Sequence, residues 1–284
     1  MPDLSTLKNR FRDDGVVFLK SALGEAELAM ARDAYEWSLA HPSANACDFS
    51  QNRSTKFYQD LCNSNALPAY RRLLEDSSAA DIAANLWDAP DVWFMYEQVF
   101  LKEGGESRRT PWHQDSSYLP VDGEKIAVMW ISFDSADREH SLEFVSGSHR
   151  GVLYDGSRFD PNDDTAPLYG DGHLPRLPDI EAERDRWNIV SFAVEPGDVV
   201  VFHPAVLHGG APTKAGNRRR TLSLRFFGDD ATYVRRSAFD NSGSRSAGGE
   251  VPDGDGTIFS VLGRTLSPGD LLRHPGFPKL RPRS

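Results

Sequence analysis

Two short segments carry the residues best suited to chemistry. The first, Thr110-Pro111-Trp112-His113-Gln114-Asp115, sets an imidazole and a carboxylate two positions apart. On a strand, residues i and i+2 point to one face, so His113 and Asp115 can reach a single ion together. The second, EPGDVVVFHPAVLHGG (195–210), runs from a Pro-Gly-Asp turn through an apolar strand to a histidine followed by two glycines. It offers two candidates for a third ligand, His203 and His208. Gly209 and Gly210, which permit close backbone approach, favour His208, and Arg219 lies eleven residues beyond it. His203 then becomes a histidine behind the ligands or of the core.

Two imidazoles and one carboxylate on one face of an octahedral ion leave three positions open. That arrangement suits non-haem iron(II), which needs room for a bidentate 2-oxo acid and for dioxygen. A 2-oxo acid with a second, distal carboxylate also needs a cation, and a guanidinium matches carboxylate geometry through two parallel hydrogen bonds. Arg219 stands between Arg218 and Arg220 at the entrance to the strand Thr221-Leu-Ser-Leu-Arg-Phe226. Alternation sends Arg218 and Arg220 to one face and Arg219 to the other. Arg225 on the same strand is a rival for this role. Taken alone, the pair His113 and Asp115 is equally an ordinary surface pair on an edge strand, with Pro111 marking the edge. The same ligand set also serves a zinc or manganese enzyme of cupin type, or a module that binds a small molecule without turning it over.

The elements that must position these residues read as follows. Residues 4–13 form a short helix, 15–20 (GVVFLK) a strand, and Ser21 and Glu25 introduce a second helix. That helix carries Leu28, Ala31, Tyr35 and Leu39 on one face and is ended by His41-Pro42. Residues 43–60 show no clear period and read as a loop, and 66–88 as helical, with Leu67, Tyr70, Leu73 and Leu74 on one stripe. After Ala89-Pro90 the character changes. DVWFMYEQVFLK (91–102) is aromatic and β-branched, and short strands follow around 110–114, 125–133, 142–145, 189–194, 198–203 and 221–228. Turn residues separate them, the pattern of a jelly roll. The expected fold is mainly β with flanking helices around a double-stranded β-helix (jelly roll, cupin-like) core. It forms a single domain, 1–284, with a helical part at 1–90, the core at about 91–228, an insertion at 150–188 that lies over the sheet as a lid, and an extension at 229–284 containing a Ser/Gly-rich stretch (240–256).

Composition excludes several classes. Lys and Arg number 32 against 42 Asp and Glu, a formal net charge of -10, which repels phosphate backbones and anionic lipid surfaces. No nucleic acid or membrane is therefore expected as a partner, and no apolar stretch approaches the length of a membrane span. Two cysteines, Cys47 and Cys62, make neither a disulfide scaffold nor a zinc ribbon. The opening MPDLSTLKNRFRDDG has no apolar signal-peptide segment, so a reducing cytoplasm, congenial to a ferrous ion, is the expected location. A small-molecule substrate is the expected partner; oligomeric state is not legible in the sequence.

Taken together, TPWHQDSSY (110–118), SLEFVSGSHR (141–150), the 195–210 segment and the arginine beyond it resemble the phytanoyl-CoA dioxygenase-like (PhyH) oxygenases, from the opening strand to about residue 228. The resemblance implies an Fe(II)- and 2-oxoglutarate-dependent dioxygenase. It implies that His113, Asp115 and His208 hold iron and that Arg219 holds the distal carboxylate of 2-oxoglutarate. It further implies cofactor contacts from Lys56 (in STKFYQDL), Gln98 and Trp130, with O2 as oxidant and ascorbate as a supporting reductant. This chain has Glu139-His140-Ser141-Leu142 where many members carry Asn-Gly-Cys/Ala-Leu, Gly210 where a serine often contacts the cofactor, and Gln98 at a position often held by methionine. Related halogenases replace the metal-binding carboxylate with a small residue. Asp115 is retained here, which makes hydroxylation of a C–H bond the expected outcome. Ser116, Ser117 and Tyr118, just past the first pair of ligands, are expected at the substrate pocket.

Overall fold

The computed structural model describes residues 4–50, 55–104, 109–160, 162–211, 213, 216–236 and 259–282. The Ser/Gly-rich stretch 240–256 lies outside them. Helix α1 (Leu4–Asp14) leads into strand β1 (Val16–Leu19) and helix α2 (Glu25–Ala40). On α2 the buried positions Ala31, Ala34, Tyr35 and Ser38 follow helical spacing, and Leu28 and Leu39 pack partly buried beside them. The Glu27 carboxylate accepts a hydrogen bond from the Gly24 N–H that precedes the helix and another from Ser78 N–H, which ties α2 to the start of α4. The helical stretch expected over 66–88 is two helices, α3 (Leu67–Asp76) and α4 (Ala79–Trp87). Ser77 interrupts them: its backbone is extended, and its hydroxyl turns back to the Leu73 carbonyl.

The segment 43–60 is not the loop that its lack of period suggests. It contains β2 (Cys47–Asp48) and most of β3 (Thr55–Leu61), which pairs with β4 (Val92–Gly104) from Thr55↔Gly104 to Leu61↔Gln98. The alternation is hidden because β3 buries polar groups. Gln59 and Asp60 are both buried, and Asp60 accepts hydrogen bonds from Ser43 N–H and Leu61 N–H.

The remaining strands are β5 (Thr110–His113), β6 (Val121–Asp122), β7 (Ile126–Ser132), β8 (Leu142–Val145), β9 (Ile189–Ser191), β10 (Val199–Phe202), β11 (His208–Gly210), β12 (Arg218–Phe227), β13 (Thr232–Tyr233) and β14 (Lys279–Arg281); helix α5 (Phe259–Thr265) precedes β14. A large antiparallel sheet has the order β1-β10-β7-β12-β4-β3-β2, with β14 also on β4. A smaller one runs β5-β11-β8-β9, and β13-β6 form a two-stranded piece. Two facing antiparallel sheets of this kind are the jelly roll expected.

Alternation along the large sheet decides where chemistry can reside. Ala127, Met129 and Ile131 of β7, Val199 and Val201 of β10, and Leu222, Leu224 and Phe226 of β12 belong to the core shared with Tyr35, Tyr70, Leu73 and Leu74 of the helices. The intervening residues face the smaller sheet. Val128, Trp130, Val200 and Phe202 meet Phe144 of β8 there. On β12 and β4 these inward positions are, apart from Phe100, polar or cationic: Arg219, Thr221, Ser223 and Arg225, with Gln98 and Lys102. An apolar outer face pins the sheet to the helices, while the inner face lines a cavity.

Candidate metal centre

His113 is the last residue of β5 and His208 the first of β11, and the two are direct partners in the antiparallel register. Their ring centroids lie 4.2 Å apart. The run from β10 to His208 is not one strand. β10 belongs to the large sheet, and the chain turns through 203–207 before β11 joins the small one. Gly209 and Gly210 are where this crossing becomes tight: a Cβ on Gly210 would lie 3.0 Å from Thr110 Oγ1 and one on Gly209 3.0 Å from the Thr110 carbonyl.

Asp115 sits just past β5 instead of on it. It opens a 3-10 turn (Asp115–Ser117), after the extended residue Gln114. The convergence expected from strand alternation is therefore produced by a strand end followed by a turn. Ser116 N–H donates to the Pro204 carbonyl, which holds that turn against the 203–207 corner. The Gln114 amide completes the brace. Its Nε2 donates to the carbonyls of Ala205 (2.8 Å) and Val152 (3.1 Å), and its Oε1 accepts from Tyr154 N–H (2.9 Å).

Each of His113, Asp115 and His208 offers a ligand atom within 4.8 Å of the others, and all three are buried. His113 Nε2 is 3.5 Å and His208 Nε2 3.7 Å from Asp115 Oδ1. On the far side of each ring, Nδ1 bonds a backbone carbonyl, Pro111 O at 2.8 Å for His113 and Val206 O at 2.9 Å for His208. A carbonyl only accepts, so Nδ1 carries the proton and Nε2 presents its lone pair to the shared centre, the outer-sphere arrangement of metal-binding histidines. Burial, with His113 alongside, pushes His208 down to about 3, so it stays neutral and able to ligate. Burial alone would raise the Asp115 carboxyl. The Arg225 guanidinium outweighs it and holds the group well below the usual carboxylate range. Arg225 donates to Asp115 Oδ2 at 2.9 Å and to Gln98 Oε1 at 2.6 Å, and lies over the Tyr96 ring at 4.5 Å. Arg225 thus serves the metal end of the cavity.

The cavity runs from this centre to Arg219 at the other end, lined between by Gln98, Phe100, Val128, Trp130, Thr221 and Ser223. Arg219 is buried. It donates to the His140 carbonyl at 2.6 Å and more loosely to Ala211 O at 3.4 Å, and has no carboxylate partner among the described residues. A buried guanidinium without a counter-charge fits a site made for a ligand's carboxylate. Gln98 and Trp130 line the cavity. Lys56 does not: it faces outward on β3 and pairs with Asp48 at the surface. The Ser117 hydroxyl bonds Gln114 O and the Tyr118 hydroxyl bonds Ser157 O, so both brace loops while the Tyr118 ring lies 6.0 Å from His113. His203 is spoken for on both nitrogens, Nε2 by Gly123 O and Nδ1 by Ala205 N–H, and lies outside the cavity.

Gly156 and Phe159, from the segment after residue 150, come against the metal end. Asp155 accepts from Tyr169 N–H and Gly170 N–H, and a Cβ on Gly156 would lie 2.8 Å from Ser117 Oγ. Phe159 holds a left-handed backbone (φ 55) and sets its ring 5.4 Å from His113 and against Tyr118. Neither Phe159 nor the Gln114 brace carries a signal in spacing, and neither was expected.

A jelly roll with two histidines and an aspartate gathered between its sheets defines a class, the proteins that build a mononuclear metal site inside a double-stranded β-helix. The family profile described as phytanoyl-CoA dioxygenase (PhyH) matches residues 11–221, and the chain belongs to that family. It is 27% identical over 150 residues to the peroxisomal phytanoyl-CoA dioxygenase of Homo sapiens, an alignment covering 51% of this chain and 42% of that protein. The chain thus spans less than half the length of that relative. In fold it is similar to the epimerase SnoN, solved in complex with Fe3+, alpha ketoglutarate and nogalamycin RO (TM-score 0.69, 20% identity, 98% of both chains). It is likewise similar to the non-haem alpha ketoglutarate dependent carbocyclase SnoK (TM-score 0.68, 21% identity, 97% of this chain and 95% of that one).

Proposed function

We propose that the protein is an Fe(II)- and 2-oxoglutarate-dependent dioxygenase that hydroxylates a C–H bond of a small molecule. One observation carries the reading: a single cavity has two Nε2 lone pairs and a carboxylate at one end and, at the other, a buried guanidinium with no carboxylate partner among the described residues. His113, Asp115 and His208 would hold the iron, and Arg219 would hold the distal carboxylate of 2-oxoglutarate. When bound, these partners supply the oxidising power with O2, releasing succinate and CO2. The chain's own part is positioning. The carbonyls of Pro111 and Val206 fix the imidazole tautomers. Arg225 keeps Asp115 ionised without blocking Oδ1, the oxygen nearest both imidazoles. Trp130 and Phe202 make the wall apolar, and the Phe159 ring stands beside His113 to shield the metal end from water.

The substrate side of the metal is bounded by Phe159 and Tyr118. Retention of Asp115 leaves no vacancy for a halide and favours hydroxylation. The epimerase and carbocyclase among similar folds make the fate of the substrate radical a matter for product analysis. The test is succinate release from 2-oxoglutarate under air with Fe(II) and ascorbate. Turnover is expected from the wild type and none from His113→Ala or Asp115→Ala, while Arg219→Ala chiefly raises the 2-oxoglutarate requirement. An unchanged requirement in Arg219→Ala would refute the role given to that arginine. No succinate across a broad substrate panel, with no iron retained, would favour a binding module.

A further inference from the structure

Two of the three candidate metal ligands are bordered by one small hairpin. Residues 155–160 run antiparallel to 162–170 through the bridges Ser157↔Pro167 and Asp160↔Asp163. The hairpin bonds itself. Leu168 N–H donates to the Gly156 carbonyl at 2.6 Å and Arg158 N–H to Ala166 O at 2.9 Å, while the Asp155 carboxylate accepts from Tyr169 N–H and Gly170 N–H. Its contacts with residues 114–118 are reciprocal. Tyr118, just past the turn that Asp115 opens, donates its hydroxyl to the Ser157 carbonyl at 2.7 Å. Tyr169, on the hairpin, donates its hydroxyl back to the Ser117 carbonyl. Gln114, between the two ligands, holds the approach to the hairpin through Val152 O and Tyr154 N–H. At Gly156 no side chain fits between hairpin and turn, because a Cβ there would lie 2.9 Å from Tyr118 Cζ. The Phe159 ring lies 5.4 Å from His113. The hairpin therefore touches the ring of one ligand and the backbone that presents another.

We propose that Tyr169, Tyr118 and Gln114 are positioning residues that make this hairpin part of the metal centre, so that metal binding and ordering of the hairpin are one coupled event. The inference rests on the metal-binding reading of His113, Asp115 and His208. A lone two-stranded hairpin is marginally stable at best in water, so this one depends on the turn it leans against. A metal held by His113 and Asp115 fixes that ring and that turn, and thereby favours the ordered hairpin. Linkage requires the converse: a hairpin already in place reduces the freedom the ligands lose, and tightens the metal by the same factor. The consequence reaches the substrate. Phe159 and Tyr118 bound the substrate side of the metal, and that wall is complete only once the metal is seated. A substrate meets a formed site in loaded protein and an unformed one in metal-free protein.

The test is amide hydrogen exchange of the full chain, stripped of metal and then loaded with Mn(II), read by mass spectrometry on peptides from 155–170. The amides of Arg158, Leu168, Tyr169 and Gly170 should exchange ~10-fold or more slowly with Mn(II). Those of α2, packed on the outer face of the large sheet, should keep their rates. Two variants read the coupling from the other side. Tyr169→Phe removes one hydroxyl and keeps the ring; Gly156→Ala pushes the hairpin off the turn without removing a hydrogen-bonding group. Each should weaken Mn(II) binding about 3- to 10-fold by equilibrium dialysis, with α2 exchange unchanged. Equal hairpin exchange in metal-free and loaded wild type would overturn the inference, and that readout needs no variant. So would wild-type Mn(II) affinity in both variants, or protection lost equally from the hairpin and α2, the mark of plain destabilisation. If the wild type binds no Mn(II), the metal reading falls as well. If Mn(II) binds and the hairpin does not respond, only the inference falls.

Discussion

Arg225 offers the sharpest test of how the metal end is built. Its guanidinium and the Asp115 carboxylate are 4% exposed each and 2.9 Å apart, a fully buried pair. Arg225→Met removes the cation and keeps most of the volume. Breaking one side of a buried pair costs about 3–5 kcal/mol, against a whole-domain stability of about 5–15 kcal/mol. The pH dependence has a definite sign. In the wild type the Asp115 carboxyl lies well below its unfolded value, because Arg225 outweighs burial. Its contribution to stability is therefore full above ~pH 4 and lost only as pH falls further. Without Arg225 burial has far less opposition, and the carboxyl moves up toward or above its unfolded value. The variant then pays for a buried charge near neutrality and recovers as that charge is protonated, so its deficit against wild type is largest at ~pH 7–8 and narrows toward ~pH 5. The assay is urea unfolding of metal-stripped protein across that range, wild type against variant. Equal midpoints at neutral pH, or a gap that fails to narrow on acidification, would refute the reasoning.

Further outcomes follow from the same geometry. His208→Gln should lose tight Mn(II) binding while His203→Gln keeps it, by equilibrium dialysis, since both nitrogens of His203 are engaged elsewhere. Burial brings His203 down to about 4. A folded value below the unfolded ~6.5 means stability is lost as pH falls from ~6.5 toward ~4, by up to about 3 kcal/mol, and His203→Gln should flatten that limb in acid unfolding. Phe159→Ala should open the metal end to water and raise substrate-independent succinate formation several-fold. Unchanged uncoupled turnover would show that the ring does not guard the site.

Legibility of the sequence divided along physical lines. The candidate ligand residues announce themselves through spacing: His113 and Asp115 by two positions, His208 through its glycines, and Arg219 by strand alternation within three arginines. The strand β11 that carries His208 is three residues long with two glycines, too little for any strand signal, and it forms because β5 and β8 clasp it. β3 escapes notice because buried Gln59 and Asp60 break its apolar alternation. Lys102 reads as the charged end of an aromatic strand, and only the register with Arg219 shows that two cations face one cavity. Arg225 and Asp115 are 110 positions apart, a pairing that no local pattern reveals. Gln98, matched to a cofactor position, gives its side-chain oxygen to Arg225, so its nearest role is to orient that guanidinium.

The central claim is that His113, Asp115 and His208 hold an iron(II) to which 2-oxoglutarate binds through its 1-carboxylate and 2-oxo oxygen. Anaerobic titration of the purified chain with Fe(II), then 2-oxoglutarate, followed by visible absorption, tests it most directly. A metal-to-ligand charge-transfer band that saturates at one iron per chain, appears only with both additions, and is absent in His208→Gln is the expected result. No band at saturating Fe(II) and 2-oxoglutarate, or an undiminished band in His208→Gln, would contradict it.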